Sequence, residues 1–248
     1  MTDHEVAARL ATEAGALLLE VRREFADADA TERKAAGDTR AHEFLMRALA
    51  SERPDDAVLS EEATEEERAN SRRLTADRVW IVDPLDGTRE FSELGRDDWA
   101  VHVALWQSGE LVAGAVALPA QGVTLATPDV APPPAAPAVP RIVVSRTRPP
   151  AVALAVCEAL GGTLVEMGSA GAKVASVVQG VSDVYVHAGG QYEWDSAAPV
   201  AVARAAGLYT SRLDGSPLRY NQSDVSLPDL IVCRPEFRDA VLAVTTRA

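Results

Sequence analysis

Asp83-Pro84-Leu85-Asp86-Gly87-Thr88 concentrates more chemical capacity than any other six residues of the chain. Two carboxylates stand three positions apart with the Leu85 carbonyl between them. Three hard oxygen donors can therefore face one point, as Mg²⁺ or Ca²⁺ requires. Gly87 and Thr88 add unobstructed backbone N–H groups and a hydroxyl, a setting that suits an anion such as phosphate. Asp-Gly alone is ordinary turn composition. The full run gains its meaning from the strand ahead of it, Val79-Trp80-Ile81-Val82, which Pro84 is expected to stop because proline has no N–H for the ladder. Two more carboxylates fall at element ends: Glu61, after a short strand Ala57–Ser60, and Asp195, opening a helix. Any two of the four at ~4 Å would repel by ~4 kcal/mol at an effective dielectric near ~20. Gathered together they need cations or shared protons. Oxygen donors without paired cysteine or histidine point to Mg²⁺ rather than zinc. Glu61-Glu62 taken alone would read as a surface pair.

The elements that must position these residues are legible as patterns. Thr2 to about Phe25 predicts an amphipathic helix with Val6, Leu10, Ala14, Leu17, Leu18, Val21 and Phe25 on one face, and Thr2 with Glu5 has capping-box spacing. A loop through Lys34 and Gly37 is expected next, then a second helix with Asp38 as its N-cap. Glu65-Glu66-Glu67-Arg68 reads as a solvated helical face. Ala100–Leu105 and Leu111–Leu118 predict a hairpin around Gln107-Ser108-Gly109-Glu110, with a further strand in 122–127. From Pro128 to Pro140 six prolines alternate with alanines, an exposed stiff linker. The domain boundary is placed there: an N-terminal α+β domain, residues 1–134, and a C-terminal α/β domain, residues 135–248. The second half alternates strand and helix: strands 141–144, 163–167 and 184–187, helices 150–160, 172–179 and 195–206. His102 and His187 lie inside apolar strands and read as satisfied core residues.

The 248 residues are 47 % hydrophobic and 25 % charged, an ordinary globular balance. The formal net charge of −13 excludes a basic nucleic-acid-binding surface, so no nucleic acid is expected as partner. A small phosphorylated substrate stays open, since bound dications invert the local sign. No signal-like N-terminus or membrane-spanning run is seen, so neither export nor a membrane partner is expected. Cys157 and Cys233 sit far apart in apolar segments, which suits a reducing, cytoplasmic location.

Leu59-Ser60-Glu61-Glu62, Asp83-Pro84-Leu85-Asp86-Gly87-Thr88 and Trp194-Asp195-Ser196-Ala197-Ala198 together resemble the three signatures of the inositol monophosphatase superfamily, in order and across nearly the whole chain. Within it the resemblance runs to CysQ-type 3′-phosphoadenosine 5′-phosphate phosphatases, the 3′(2′),5′-bisphosphate nucleotidases. The resemblance implies the α/β, layered αβαβα sugar-phosphatase fold shared with fructose-1,6-bisphosphatases. It implies a lithium-sensitive phosphatase using two or three Mg²⁺ ions, cleaving 3′-phosphoadenosine 5′-phosphate to AMP in sulfate assimilation. Carried over by residue, Glu61, Asp83, Asp86, Asp195 and the Leu85 carbonyl would be metal ligands. Gly87 and Thr88 would hold the scissile phosphate. Asp38 would pair with the Thr88 hydroxyl and, with Glu61, help activate the attacking water, in two-metal in-line displacement.

The second-domain candidates for substrate binding are weaker. In Gly168-Ser169-Ala170-Gly171-Ala172-Lys173 small residues let backbone approach a ligand, which makes Ser169, Ala170 and Lys173 candidates; a close-packed loop is the equal alternative. Ser145-Arg146 and Arg219-Tyr220 could take a second phosphate or an adenine face. Inositol monophosphatases carry a polyol-binding glutamate before Trp-Asp, where this chain has His187 or Ala188, while Glu193 resembles the nucleotidase pattern. An inositol or fructose-bisphosphate phosphatase on the same scaffold, and a non-catalytic metal- or nucleotide-binding regulator, remain the alternatives. The resemblance also leaves room for a homodimer.

Overall fold

The computed structural model describes residues 1–64, 67 and 72–247. Of the acidic run at 65–68 only Glu67 is among them, so the helical reading of that run lies outside the described residues. The elements are α1 (Asp3–Glu24), α2 (Ala30–Glu52), β1 (Ala57–Ser60), α3 (Arg72–Thr75), β2 (Arg78–Asp86), α4 (Thr88–Ser92), β3 (Ala100–Gln107), β4 (Glu110–Leu118) and β5 (Val123–Ala126). After the proline-rich segment come β6 (Arg141–Ser145), α5 (Ala151–Ala159), β7 (Thr163–Met167), α6 (Ala170–Val178), β8 (Val184–Ala188), α7 (Glu193–Ala205), β9 (Tyr209–Ser211), β10 (Asp229–Cys233) and α8 (Arg238–Thr245). None of the described helices is long and apolar enough to cross a membrane.

Period-2 patterning explains the layers. In β2, Val79 and Ile81 face one core, while Trp80 and Val82 face another; a strand buried on both faces reads as a continuous apolar run. The Trp80 face packs under α1 and α2, and the Ile81 face packs on α6 and α7. The second sheet repeats this device: Val143 of β6 joins the shared central core, while Ile142 and Val144 meet the outer core beneath α5 and α8. The stack is therefore α1/α2, sheet, α6/α7, sheet, α5/α8, the expected five-layer αβαβα fold. The first sheet has order β1-β2-β3-β4-β5, with β1 and β2 parallel and the rest antiparallel. The second has order β7-β6-β8-β10-β9, with parallel pairs around β6 and antiparallel pairs around β10.

Two local expectations are corrected. The second helix begins at Ala30, not after Gly37: Asp29 is its N-cap, accepting from the N–H groups of Thr31 and Glu32. Lys34, Gly37 and Asp38 therefore lie inside α2. Gly37 is a contact requirement and not a helix breaker, because a Cβ there would lie 2.8 Å from Phe91 and 2.9 Å from Leu85. The second correction concerns Pro84, which does not end β2. The strand runs to Asp86 through a bulge, since Asp83 pairs with His102 but Asp86 with Ala100. A bulge is where a strand tolerates a residue without an N–H, and it re-aims the side chains beside it.

Candidate active site

The β2 bulge, the first turn of α7 and the end of β1 meet at one point. Asp83, Asp86 and Asp195 each offer an oxygen, and the three oxygens lie within 4.8 Å of one another. Asp83 and Asp86 are buried. The Asp83 Oδ1 accepts the Leu85 N–H at 3.0 Å, while its Oδ2 is buried with no neutral donor upon it. Asp195 accepts the Tyr192 N–H at 2.7 Å through Oδ2, closing the first turn of α7. Glu61 follows β1, its N–H bonded to the Val82 carbonyl at 3.2 Å, and its carboxyl group interacts with that of Asp83. At 4.8 Å two charges repel by ~3.5 kcal/mol at an effective dielectric of ~20.

That repulsion shows in the protonation of the cluster. Burial, then the charges of Glu61, Asp86 and Asp195, pushes Asp83 well above the usual carboxylate range. Burial and neighbouring acids push Glu61 up to about 7. Asp195 rises to about 7 through burial and the charge of Asp86. Asp86 goes the other way. Burial opposes its charge, but His102 beside it and hydrogen bonds from Ser169 and Gly171 bring it down to about 2. The donor set fits a hard dication: only oxygens, one of them an orphaned carboxylate atom, and a surplus of negative charge held by protons. The Leu85 carbonyl accepts the Thr88 hydroxyl at 3.2 Å. The expected bond from that hydroxyl to Asp38 is thus replaced by one within the α4 turn. Asp38, on the inner side of α2, is raised to about 7 by burial and then by the charge of Glu62.

Gly87 opens α4 at φ +83°, and a Cβ there would meet that of Ser169 at 2.9 Å, so both conformation and space demand glycine. The Ser169 hydroxyl donates to Asp86, as do the N–H groups of Ala170 at 3.2 Å and Gly171 at 2.6 Å. Small residues here let the start of α6 close on a carboxylate. Lys173 is buried, its Nζ donating to the Gly168 carbonyl at 2.9 Å and the Ser169 carbonyl at 2.6 Å.

A cavity of about 490 Å³ opens beside Asp86 and Asp195, a size suited to a nucleotide-scale ligand. Ser145, Arg146, Ser169, Ala170 and Lys173 all line it. Arg146 is committed to carboxylates, to Glu90 at 2.8 Å and Glu93 at 2.7 Å. Arg89 and Arg148 line the same wall and form no ion pair among the described residues. Three candidates sit elsewhere. Arg219 is exposed and outside the lining; Tyr220 is buried in the central core with its hydroxyl 3.2 Å from that of Ser196. Glu193 is buried and accepts the N–H groups of Asn221 and Gln222, so it anchors a loop. A separate cavity of about 450 Å³ between α2 and β1 contains none of the clustered acids.

Two histidines do more than the sequence pattern implies. His102 is a core residue as expected, yet its Nδ1 donates to the Trp194 carbonyl at 3.0 Å and its Nε2 lies 3.3 Å from Asp86. It ties β3 to both acid-bearing elements. His187 lines the cavity instead of filling the core. An apolar strand shows which residues alternate but not which face abuts a site; only the pairing of Asp83 with His102 across the ladder reveals the former.

The layered fold and this acid cluster define a phosphatase class. The model of the inositol monophosphatase family matches residues 2–130 and 142–245, and the chain belongs to that family of metal-dependent phosphatases. The chain is 53 % identical over 245 residues to a 3′-phosphoadenosine 5′-phosphate phosphatase of Mycobacterium tuberculosis, covering 95 % of this chain and 90 % of the relative. It is 29 % identical to the 3′(2′),5′-bisphosphate nucleotidase CysQ of Escherichia coli, over 83 % and 84 % of the two chains. Among solved structures, CysQ from Bacteroides thetaiotaomicron superposes with a TM-score of 0.75 at 28 % identity, over 92 % of this chain and 96 % of that one. Inositol monophosphatase II of Staphylococcus aureus shares the fold with a TM-score of 0.80 at 18 % identity, covering 100 % and 94 %.

Proposed function

We propose that the protein is a Mg²⁺-dependent phosphomonoesterase that hydrolyses 3′-phosphoadenosine 5′-phosphate to AMP and phosphate, clearing a by-product of sulfate assimilation. The observation that carries the reading is the convergence of Asp83, Asp86 and Asp195, with oxygens within 4.8 Å, beside a cavity of about 490 Å³ that Asp86 and Asp195 line. The 53 % identity to a relative bearing that activity supports the substrate. Glu61, Asp83, Asp86, Asp195 and the Leu85 carbonyl would hold Mg²⁺, which supplies Lewis acidity and charge neutralisation. The Gly87 and Thr88 N–H groups orient the phosphoryl oxygens at the α4 turn. The Thr88 hydroxyl fixes the Leu85 carbonyl from beneath, which sets the direction of that oxygen. Asp38, titrating near about 7, is matched to accept a proton at neutral pH.

The second phosphate goes to the basic wall. Because Arg146 is already paired with Glu90 and Glu93, Arg89 and Arg148 supply the charge. Residues 1–134 and 135–248 act as two domains that each contribute one side of the site. Phosphate release from 3′-phosphoadenosine 5′-phosphate with Mg²⁺ and with chelator tests the reading. Mg²⁺-dependent release of one phosphate per nucleotide is expected, and release that survives exhaustive chelation contradicts it.

A further inference from the structure

We propose that His102 is a positioning residue for the clustered acids: it fixes Asp86 and the Trp194-Asp195 turn of α7 relative to one another, so that both carboxylates meet the same cation. The inference rests on the metal-dependent reading above and adds to it a residue outside the proposed ligand set. Pairing across the ladder puts His102 opposite Asp83, and side chains directly opposite share a face of the sheet. Its neighbours on that face of β3, Ala100 and Ala104, belong to the central apolar core. His102 is fully buried among them, and a polar ring in such a slot is unfavourable unless its nitrogens are engaged.

Nδ1 stands 3.0 Å from the Trp194 carbonyl. A carbonyl only accepts, so Nδ1 carries a proton and the direction of this bond is settled. The bond grips the peptide that joins Trp194 to Asp195 in the first turn of α7. On the other side of the ring Nε2 lies 3.3 Å from the Asp86 Oδ2, a close contact that is not aligned as a hydrogen bond. Nδ1 is also 3.9 Å from the Asp83 Oδ2. One imidazole thus meets all three segments that carry the clustered aspartates.

The start of α6 is shaped to admit the ring. A Cβ at Gly171 would lie 2.0 Å from His102 Nε2, and 2.9 and 3.0 Å from two ring carbons. The Gly171 N–H meanwhile donates to the Asp86 Oδ2 at 2.6 Å, beside the Ser169 hydroxyl. Glycine here brings a backbone donor to the carboxylate and leaves the space that the imidazole fills. The ring from β3 and the two donors from the α6 start wedge Oδ2 between two elements, so Asp86 cannot swing without displacing one of them. Apolar packing alone would fill the slot without placing an N–H on the Trp194 carbonyl. Partners that orient metal-binding carboxylates in this way are typically worth ~10- to 100-fold in metal affinity or rate.

Two readouts test this: Mn²⁺ binding to the substrate-free protein, followed by electron paramagnetic resonance, and kcat and KM on 3′-phosphoadenosine 5′-phosphate at saturating Mg²⁺. His102→Leu, which fills the slot without a polar atom, should weaken Mn²⁺ binding and lower kcat by at least ~10-fold each, with KM within ~3-fold. His102→Asn keeps an N–H where Nδ1 stands and should retain at least ~3-fold more of both than His102→Leu. Gly171→Ala presses on the ring from α6 and should weaken Mn²⁺ binding by at least ~5-fold. In the His102→Asn background, where Nε2 and the ring carbon bonded to it and Nδ1 are gone, the same substitution should weaken it by no more than ~2-fold. The asparagine variants decide the matter if His102→Leu does not fold. Variants that lose only thermal stability, with Mn²⁺ affinity and kcat unchanged, overturn the proposal and leave the metal-dependent reading intact. So does a Gly171→Ala effect as large beside Asn as beside His. A wild type that binds no Mn²⁺ and turns over in chelator overturns both.

Discussion

Asp195→Asn should make the metal-free protein more stable at pH 8, although it removes a residue assigned to the site. The side chain keeps its shape, and an amide oxygen can still accept the Tyr192 N–H now bonded at 2.7 Å. What disappears is a buried charge beside Asp83 and Asp86. In the folded protein Asp195 holds its proton up to about 7, against an ordinary value of 3.8. A carboxyl group raised in this way contributes stability that is full below its unfolded pKa and is lost as pH rises through the folded one. Each pH unit between the two values is worth ~1.4 kcal/mol, so the loss reaches ~4 kcal/mol by pH 8. This is an upper bound, because protons redistribute to Glu61 and Asp83. For a chain of this size ~1 kcal/mol moves Tm by ~2–4 °C, so the effect reaches on the order of 10 °C. Calorimetry in chelator from pH 4 to pH 8 should show wild type falling toward pH 8 more steeply than the variant, which keeps only the slope from raised groups such as Glu61 and Asp83. The two should converge only toward pH ~4, near the unfolded value of 3.8. Saturating Mg²⁺ at pH 8 should restore wild type by ~3 kcal/mol at a hundredfold excess over Kd and do little for the variant. A variant less stable than wild type at pH 8 in chelator, with the same pH slope, would refute the repulsion argument.

Thr88→Val should lower kcat at least ~10-fold with KM within ~3-fold, because the hydroxyl directs the Leu85 carbonyl and not the ground-state substrate, and Thr88→Ser should keep most activity; steady-state kinetics decides. Gly37→Ala should destabilise by ~1–2 kcal/mol in urea titration despite a helix-propensity gain of ~1 kcal/mol, because its Cβ must fit within 2.9 Å of Leu85 and 2.8 Å of Phe91. Asp183→Asn strands Arg141 and Arg234 and should cost ~3–5 kcal/mol near neutral pH. Burial opposes the Asp183 charge but hydrogen bonds from both arginines hold it below the usual range, so its contribution is present above pH ~4. The gap between wild type and variant should close as pH falls through the lowered value, read by acid titration of the unfolding midpoint.

How far the sequence alone reaches depends on whether the controlling contact is local. The Thr2/Glu5 capping box and the Ser108-Gly109 hairpin are legible because both are settled within a few residues, and both are present. Gly37 misleads because its neighbours, Leu85 and Phe91, arrive from another element. Pro84 misleads for a related reason: a bulge against β3 is a property of the pair and not of one strand. The acids of the site are recognisable by type, spacing and resemblance. The cavity wall is not. In sequence Arg146 gives no sign that Glu90 and Glu93 meet it, Tyr220 suggests a stacking surface but lies in the core, and His187 suggests core but faces the cavity. The strand β10 and helix α8, which complete the outer core, are also unforeseen.

The central claim is that the clustered carboxylates hold a dication used to cleave a nucleotide phosphate. Its most direct test is initial-rate phosphate release from 3′-phosphoadenosine 5′-phosphate, with AMP and inositol 1-phosphate as comparators, at saturating Mg²⁺ and after exhaustive chelation. The expected result is fast release from the bisphosphate, a kcat/KM at least ~10-fold above that for inositol 1-phosphate, and loss of activity in chelator that returns with Mg²⁺. Undiminished turnover without divalent cation, or equal efficiency on all three compounds, would contradict it.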